Sequence, residues 1–206
     1  HYQAKTLVSS DFRDFFLSYT EKAGLDASEV DWDAWFLTPG MPPVIESYPD
    51  TLGGACTAAA ERWLAEKSED DPGVASASEY AGWPSQLKIH FLEVLLSRSL
   101  AAPAAPMSSA AIAKMDSLYE LTKSKNSELR VRWQRLCIRH RQTFIVPEVL
   151  SFLKQVGRMK FVRPLYRDLF AWEEQREQAV ETFQSWRENY HPIASKMLAQ
   201  DLKLSS

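Results

Sequence analysis

Two cations, Arg158 and Lys160, have the residue types and the spacing of an anion-binding pair. They lie between two helical patterns, in the segment from Gly157 to Pro164. We predict that Gly157 ends the first helix in a left-handed conformation and that Pro164 is the first residue of the next helix. In the extended connector between them, side chains two residues apart would point the same way. The pair could then bind a carboxylate or a phosphate, although two cations in a loop can equally be hydrated surface residues.

The four histidines do not form a metal-binding motif. A zinc-binding His-Glu-x-x-His helix places two histidines four positions apart, and His1, His90, His140 and His191 have no such partners. We predict that His90 is a partly buried structural residue and that His191 caps a helix. No Ser-His-Asp or Cys-His nucleophile motif and no Gly-rich phosphate loop is recognisable. We therefore assign neither a catalytic residue nor a cofactor to this chain.

The composition is that of a globular protein with a large core. The 206 residues are 45% hydrophobic and 25% charged, and they include 7 Trp, 10 Phe and 7 Tyr. Cys56 and Cys137 lie far apart, which predicts buried thiols in a reducing compartment, although one disulfide between them stays open. No apolar run reaches the roughly 18 residues of a membrane span, and no signal-peptide pattern is recognisable. These features predict a cytoplasmic location and no membrane contact.

Apolar residues recur at helical spacing along most of the chain, and no segment alternates like a strand. We therefore predict an all-α fold of roughly nine helices, and the short connectors between them favour antiparallel hairpins. An acidic stretch from Lys67 to Ser78 is predicted to be a hydrated loop. Most of the predicted helices begin at or near these residues: Ser10, Asp31, Asp50, Trp83, Ser109, Asn126, Pro147, Pro164 and His191.

Three segments carry a resemblance to a known family. The first is Pro39-Gly40-Met41-Pro42-Pro43, which follows a Trp-containing run. The second is Asn126-Ser127-Glu128 with Arg and Trp at fixed distances after it, and the third is Gly157-Arg158-Met159-Lys160-Phe161 followed by Arg163-Pro164-Leu165. Together they resemble the C-terminal helical domain of the leukotriene A4 hydrolase and aminopeptidase B family of zinc aminopeptidases. The resemblance covers nearly the whole chain.

The resemblance implies an armadillo- or HEAT-like right-handed superhelix, with residues 1–9 as a linker or tail from a preceding domain and residues 10–206 as the helical domain. It implies that this domain closes the active-site cleft, where Arg158 holds the substrate carboxylate and Lys160 assists. The parent would be a zinc metallo-aminopeptidase that acts on peptides, with the zinc in a catalytic domain of the same polypeptide, so the chain alone is expected to be inactive. Arg158 favours the hydrolase branch over aminopeptidase B, but epoxide hydrolase activity does not follow from it.

Two other functions stay open as alternatives. Helical repeats often serve as scaffolds that bind other proteins. A nucleic-acid-binding role is less favoured, because basic residues around one helix do not share a single face: Arg130 and Arg132 would lie about 200° apart. The first 80 residues carry 15 acidic and 5 basic side chains, and the rest carry 12 and 19. We expect some of these basic residues to pair with the acidic first part: Lys123, Lys125, Arg130, Arg132, Arg135, Arg139 and Arg141.

Overall fold

The computed structural model describes residues 2–44, 50–65, 77–101 and 107–204, and these ranges contain eleven α-helices, three short 3-10 helices and no strand. The all-α prediction is confirmed. The count exceeds the predicted nine partly because Ala77 and Ser78 begin a short helix where a loop was expected, while residues 67–76 of that loop lie outside the described residues. The helices are α1 (Ser9–Lys22), α2 (Trp32–Phe36), α3 (Thr51–Ala65), α4 (Ala77–Gly82), α5 (Ser85–Ala101), α6 (Ser109–Tyr119), α7 (Ser127–Arg139), α8 (Val146–Gln155), α9 (Met159–Ala171), α10 (Arg176–Trp186) and α11 (Pro192–Asp201).

The chain separates into two compact units, residues 1–49 and residues 50–206. The first unit contains α1 and α2, and Gly24 ends α1 with a φ of +68°, as its position predicted. Trp32 of α2 contacts the rings of Phe12 and Phe16 of α1, with centroids 6.5 and 5.5 Å apart. Thr20 is the one buried residue among those that the structure describes in this unit. The assignment of residues 1–9 as a linker stays a prediction, although α1 begins at Ser9.

Side-chain caps fix several helix starts in the second unit, because they satisfy backbone N–H groups that have no partner inside the helix. The Asn126 side chain accepts a hydrogen bond from the backbone N–H of Glu128 at 3.0 Å, which confirms the predicted start of α7. His191 caps α11 as predicted, since its Nδ1 accepts from the N–H of Ile193. For α6 the cap is Ser108, one residue before the predicted Ser109.

The helices of the second unit pack mainly on neighbours two positions away in the chain. α3 packs against α5, α5 against α7, α7 against α9, and α9 against α11, while α4 pairs with α6 and α8 with α10. A stack of helical hairpins produces this order, because the equivalent helices of successive hairpins lie side by side. The largest fully buried side chains include Trp63, Phe91, Trp133, Phe152 and Tyr166, which form one core with the surrounding aliphatic residues. The right-handed superhelix stays a prediction.

The thiols and His90 have the structural roles that the sequence predicted. Cys56 and Cys137 are free and fully buried, and burial raises the pKa of both thiols. His90 Nε2 lies 3.2 Å from the hydroxyl of Thr57, which links α5 to α3. Among the described residues, no helix is both long enough and apolar enough to span a lipid bilayer.

Candidate carboxylate-binding site

The predicted extended connector from Gly157 to Pro164 is wrong. α8 ends at Gln155, the next residue Val156 is extended, and Gly157 does not have a positive φ. α9 begins at Met159, so Pro164 lies inside that helix rather than at its first position. A proline there cannot donate a hydrogen bond to the carbonyl four residues earlier, that of Lys160. The helix continues because burial of its apolar face outweighs this loss; the buried side chains on both sides of the proline are Phe161, Val162, Leu165, Tyr166 and Leu169.

Arg158 and Lys160 nevertheless converge, and they converge on a carboxylate. Arg158 is the residue that precedes α9, and Lys160 is the second residue of the helix. Lys160 Nζ donates to both oxygens of Glu128, at 2.7 and 2.8 Å. Arg158 Nη1 lies 3.8 Å from Glu128 Oε1, which is an ion-pair distance but longer than a hydrogen bond. The two cations therefore face the same carboxylate oxygen, although the connector geometry from which we predicted this was wrong.

Glu128 is held from the other side by α7 itself. Arg132 lies one turn further along and donates through Nη1 to Glu128 Oε2 at 2.8 Å, while its Nε donates to Glu93 of α5 at 2.7 Å. Only 12% of the Arg132 side chain is exposed, against 27% for Glu128. Hydrogen bonds from Lys160 and then from Arg132 hold the pKa of the Glu128 carboxyl below its ordinary value. Glu128 is therefore an ionised carboxylate at neutral pH.

The two cations differ in how much of their binding capacity is already used. Lys160 gives two contacts to Glu128, and half of its side chain is exposed. Arg158 is 65% exposed, and its guanidinium lies over the ring of Phe161, 5.3 Å from the centroid. A guanidinium has five N–H donors in a planar fork, which suits a second carboxylate. The positive end of the α9 dipole adds to the attraction for an anion.

The ion pairs that join these residues contain more positive than negative charge. Arg132, Arg158 and Lys160 supply three positive charges, and Glu93 and Glu128 supply two negative ones. One further carboxylate would make this group of charges neutral. The arrangement therefore has the charge to attract one anion.

The other basic residues of the α7 region are used mainly in contacts within the fold. Arg135 and Arg139 both bind Asp168 of α9, at 2.7 Å each. Lys123 binds Glu120 at 2.7 Å. These acids and Glu93 all follow residue 80, so among the described residues the acids that bind Arg132, Arg135, Arg139 and Lys123 do not belong to the acidic first part. Arg135 and Arg139, which are hydrogen-bonded to the largely buried Asp168, would be poor phosphate ligands, and this weakens the nucleic-acid alternative.

Two cavities of the second unit lie elsewhere on its surface. Each has a volume of about 420 Å³; one is lined by Tyr190, Pro192 and Lys196, and the other by Asp116, Thr122 and Phe144. Neither is lined by Arg158 or Lys160. In the part of the chain that the structure describes, no three His, Cys, Asp or Glu side chains come close enough together to hold a metal ion.

Glu128 is the site residue that the sequence did not identify. We considered it only as a favourable acid in the first turn of α7, because its partners Arg158 and Lys160 are at least thirty residues away in sequence. One local signal was present: Arg132 follows Glu128 by four residues, the spacing of an ion pair on one helix face. That spacing predicts the contact with Arg132 but not the contact with α9.

Comparison with known proteins places this chain in a family. The family model described as leukotriene A4 hydrolase, C-terminal, matches residues 83–202. The chain is 37% identical over 202 residues to the leukotriene A-4 hydrolase of Xenopus laevis, with 98% of this chain and 32% of that protein covered. It is 34% identical over 206 residues to the leucine aminopeptidase 2 of Pyricularia oryzae, with 98% and 32% covered.

A solved structure gives the same answer. The structure of native yeast LTA4 hydrolase superposes with a TM-score of 0.83 at 26% sequence identity, over 97% of this chain and 33% of that one. The chain thus spans about a third of the length of these relatives. The matches all include the segment with Arg158, Lys160 and Glu128. The chain belongs to the leukotriene A4 hydrolase family and corresponds to its C-terminal domain.

Proposed function

We propose that this chain is the C-terminal domain of a leukotriene A4 hydrolase-like zinc aminopeptidase, in which it closes one side of the active-site cleft and binds the substrate carboxylate. Arg158 is the main ligand of that carboxylate, and Lys160 assists. The zinc belongs to a catalytic domain of the same polypeptide, and peptides are the substrates. Membership of the family and the match to about a third of each relative's length support this assignment. The proposed location is the cytoplasm.

The observation that carries the proposal is the shared target of the two cations. Both lie within 4 Å of one oxygen atom, Glu128 Oε1, at 3.8 Å for Arg158 and 2.7 Å for Lys160. Two cations that meet at one carboxylate oxygen from adjacent positions can also meet at the carboxylate of a ligand. The high exposure of Arg158 leaves its remaining N–H donors accessible from outside the domain.

Such a contact would contribute to the reaction rate from a distance. Binding energy at the carboxylate end of a peptide fixes the position of its other end, where the scissile bond lies. A peptide held at both ends loses less entropy in the reaction step than one held only at its amino end. The domain would therefore influence turnover without supplying a reacting group.

The test is Arg158→Ala in the full-length enzyme, assayed with Ala-Ala-Ala and with its C-terminal amide. We expect kcat/KM for the free acid to fall by a factor equivalent to about 2–5 kcal/mol of transition-state stabilisation, the range for a charge pair that is buried in the closed cleft of the full-length enzyme, and to change little for the amide. Arg130→Ala is the matched control. Arg130 lies in α7 two residues after Glu128, but it contacts Gln155 and the ring of Phe152 instead of Glu128. Equal kinetics of the Arg158 variant and the unaltered enzyme on the free acid would reject the proposed role.

A further inference from the structure

Glu128 occupies the position that a ligand carboxylate would take between the two cations. Both of its oxygens accept hydrogen bonds from Lys160, and Oε1 is also the atom that Arg158 faces. An incoming carboxylate would therefore meet a group of its own charge at the point where the cations converge. Either Glu128 gives up Lys160, or the substrate binds Arg158 alone.

The surroundings of Glu128 allow it to give up Lys160. Arg132 donates to Glu128 Oε2 and also to the Glu128 backbone carbonyl, at 2.8 and 2.7 Å. Arg132 is itself fixed by Glu93 and is largely buried. A Glu128 carboxylate that loses Lys160 would therefore keep a charged partner, so that no ionised group is left unpaired. Lys160, which is half exposed and carries three N–H donors, can turn to a ligand at small cost.

We propose, on the basis of the function proposed above, that Glu128 is the resident counter-ion of the carboxylate-binding pair and that a substrate carboxylate binds by displacing Glu128 from Lys160. Glu128 thereby weakens substrate binding and limits the site to a single negative charge. The charge balance of the linked ion pairs supports this limit of one negative charge. Three cations and two carboxylates leave an excess of one positive charge, which one ligand carboxylate neutralises. A peptide with a second acidic group at its carboxyl end would be repelled by Glu128.

The first test is Glu128→Gln in the full-length enzyme, a change that keeps the shape of the side chain and removes its charge. Two carboxylates a few ångströms apart at a hydrated surface repel each other by an amount that corresponds to about a three- to tenfold change in a binding constant. We therefore expect the KM for Ala-Ala-Ala to fall by about three- to tenfold, with no such fall for the C-terminal amide. Glu128→Asp, which restores the charge, should return the KM towards that of the unaltered enzyme.

A binding measurement without turnover gives the second test. Calorimetric titration of Ala-Ala-Ala and Ala-Ala-Asp into the metal-free full-length protein should show tighter binding of both peptides to the Glu128→Gln variant. The gain should be larger for Ala-Ala-Asp, since its second carboxylate no longer meets Glu128. The matched control is Glu120→Gln, which also removes a carboxylate that accepts from a lysine at 2.7 Å but lies away from the pair; its affinities should equal those of the unaltered protein.

The results separate this inference from the proposed function. If Arg158→Ala weakens binding of the free acid while Glu128→Gln leaves it unchanged or weakens it, Glu128 is not a competitor and the inference is overturned, whereas carboxylate binding at Arg158 stands. If neither variant changes the discrimination between the acid and its amide, both are overturned. Tighter binding of acid and amide alike by the Glu128 variant would also contradict the inference, because only a charged ligand end should respond.

Discussion

α7 and α9 are joined at both ends by clusters of charge, and the two clusters differ in what they leave accessible. At the helix starts, Glu128 of α7 holds Arg158 and Lys160; we call this the Glu128 cluster. Near the helix ends, Asp168 of α9 holds Arg135 and Arg139 of α7; we call this the Asp168 cluster. Because start pairs with start and end with end, the two helices run in the same direction. The acid lies on α7 in one cluster and on α9 in the other.

The difference between the clusters lies in their exposure and in how fully the acid is used. Asp168 is 10% exposed, and each of its oxygens accepts a hydrogen bond of 2.7 Å from a different arginine. In the Glu128 cluster the cations are at least half exposed, and Arg158 remains beyond hydrogen-bond distance. A buried, fully hydrogen-bonded group stabilises the fold, whereas an exposed, partly used one contributes little stability and retains capacity for a ligand. The same two helices are therefore joined by one cluster that is fully used within the fold and one that retains unused hydrogen-bonding capacity.

Asp168→Ala should give the largest loss of stability. The substitution leaves Arg135 and Arg139 side by side without their carboxylate, and both are only about a quarter exposed, at 26% and 23%. We expect the free energy of unfolding of the 206-residue chain to fall by about 2–3 kcal/mol, somewhat less than for a fully buried pair because the arginines can regain some hydration. Urea denaturation followed by circular dichroism measures the change. If the free energy of unfolding falls no more than for an ordinary surface substitution, the Asp168 cluster stabilises the fold no more than the Glu128 cluster does.

Protonation of Glu128 in acid should lower the stability of the chain by less than Asp168→Ala does. Hydrogen bonds from Lys160 and Arg132 hold the pKa of the Glu128 carboxyl below that of an unfolded glutamate, about 4.3, so the unfolded chain binds more protons in acid. The contribution of these ion pairs to stability is therefore complete above that pH and is lost as the pH falls through the lowered pKa. Urea denaturation between pH 6 and pH 3 should show a shallower decline for Glu128→Gln than for the unaltered chain. Parallel declines would show that Glu128 is equally ionisable in both states.

Arg158→Ala should change stability least. Its guanidinium is 65% exposed and makes one long ion pair and one contact with an aromatic ring. We expect the free energy of unfolding to change by no more than about 0.5 kcal/mol, the usual range for an exposed side chain. The measurement is the same urea denaturation, with Asp168→Ala as the reference. If the free energy of unfolding falls nearly as much as in the Asp168→Ala variant, Arg158 is a structural residue. A kinetic effect of Arg158→Ala could then not be attributed to substrate binding.

Local rules of sequence predicted most of the secondary structure but not the contacts of the site. Asn126 and His191 were identified as caps, since a cap depends on residues within one helical turn. Pro164 was misplaced because the rule that puts proline at a helix start is also local, and here the burial of residues on both sides of it extends the helix. The prediction of a left-handed Gly157 was wrong for a similar reason, because a glycine after a helix does not have to adopt a positive φ.

The site itself was predictable only in part. Arg158 and Lys160 were identified from a short motif, and that motif together with two other segments, not periodicity, indicated the family. The ion pairs of Glu128 with α9 and of Arg135 with Asp168 join residues 30 or more positions apart, so that no window of sequence contains them. Packing of α7 against α9 brings them together, and it depends on the apolar faces of both helices.

The two cysteines give the fold a built-in reporter of its own opening. A thiol reacts with alkylating agents as the thiolate, and burial both raises the pKa of Cys56 and Cys137 and excludes reagents from them. Cys56 lies on α3 and Cys137 on α7, so labelling of each sulfur reports a different layer of the helical stack. Their relative alkylation rates would reveal whether the stack loosens from one end or all at once.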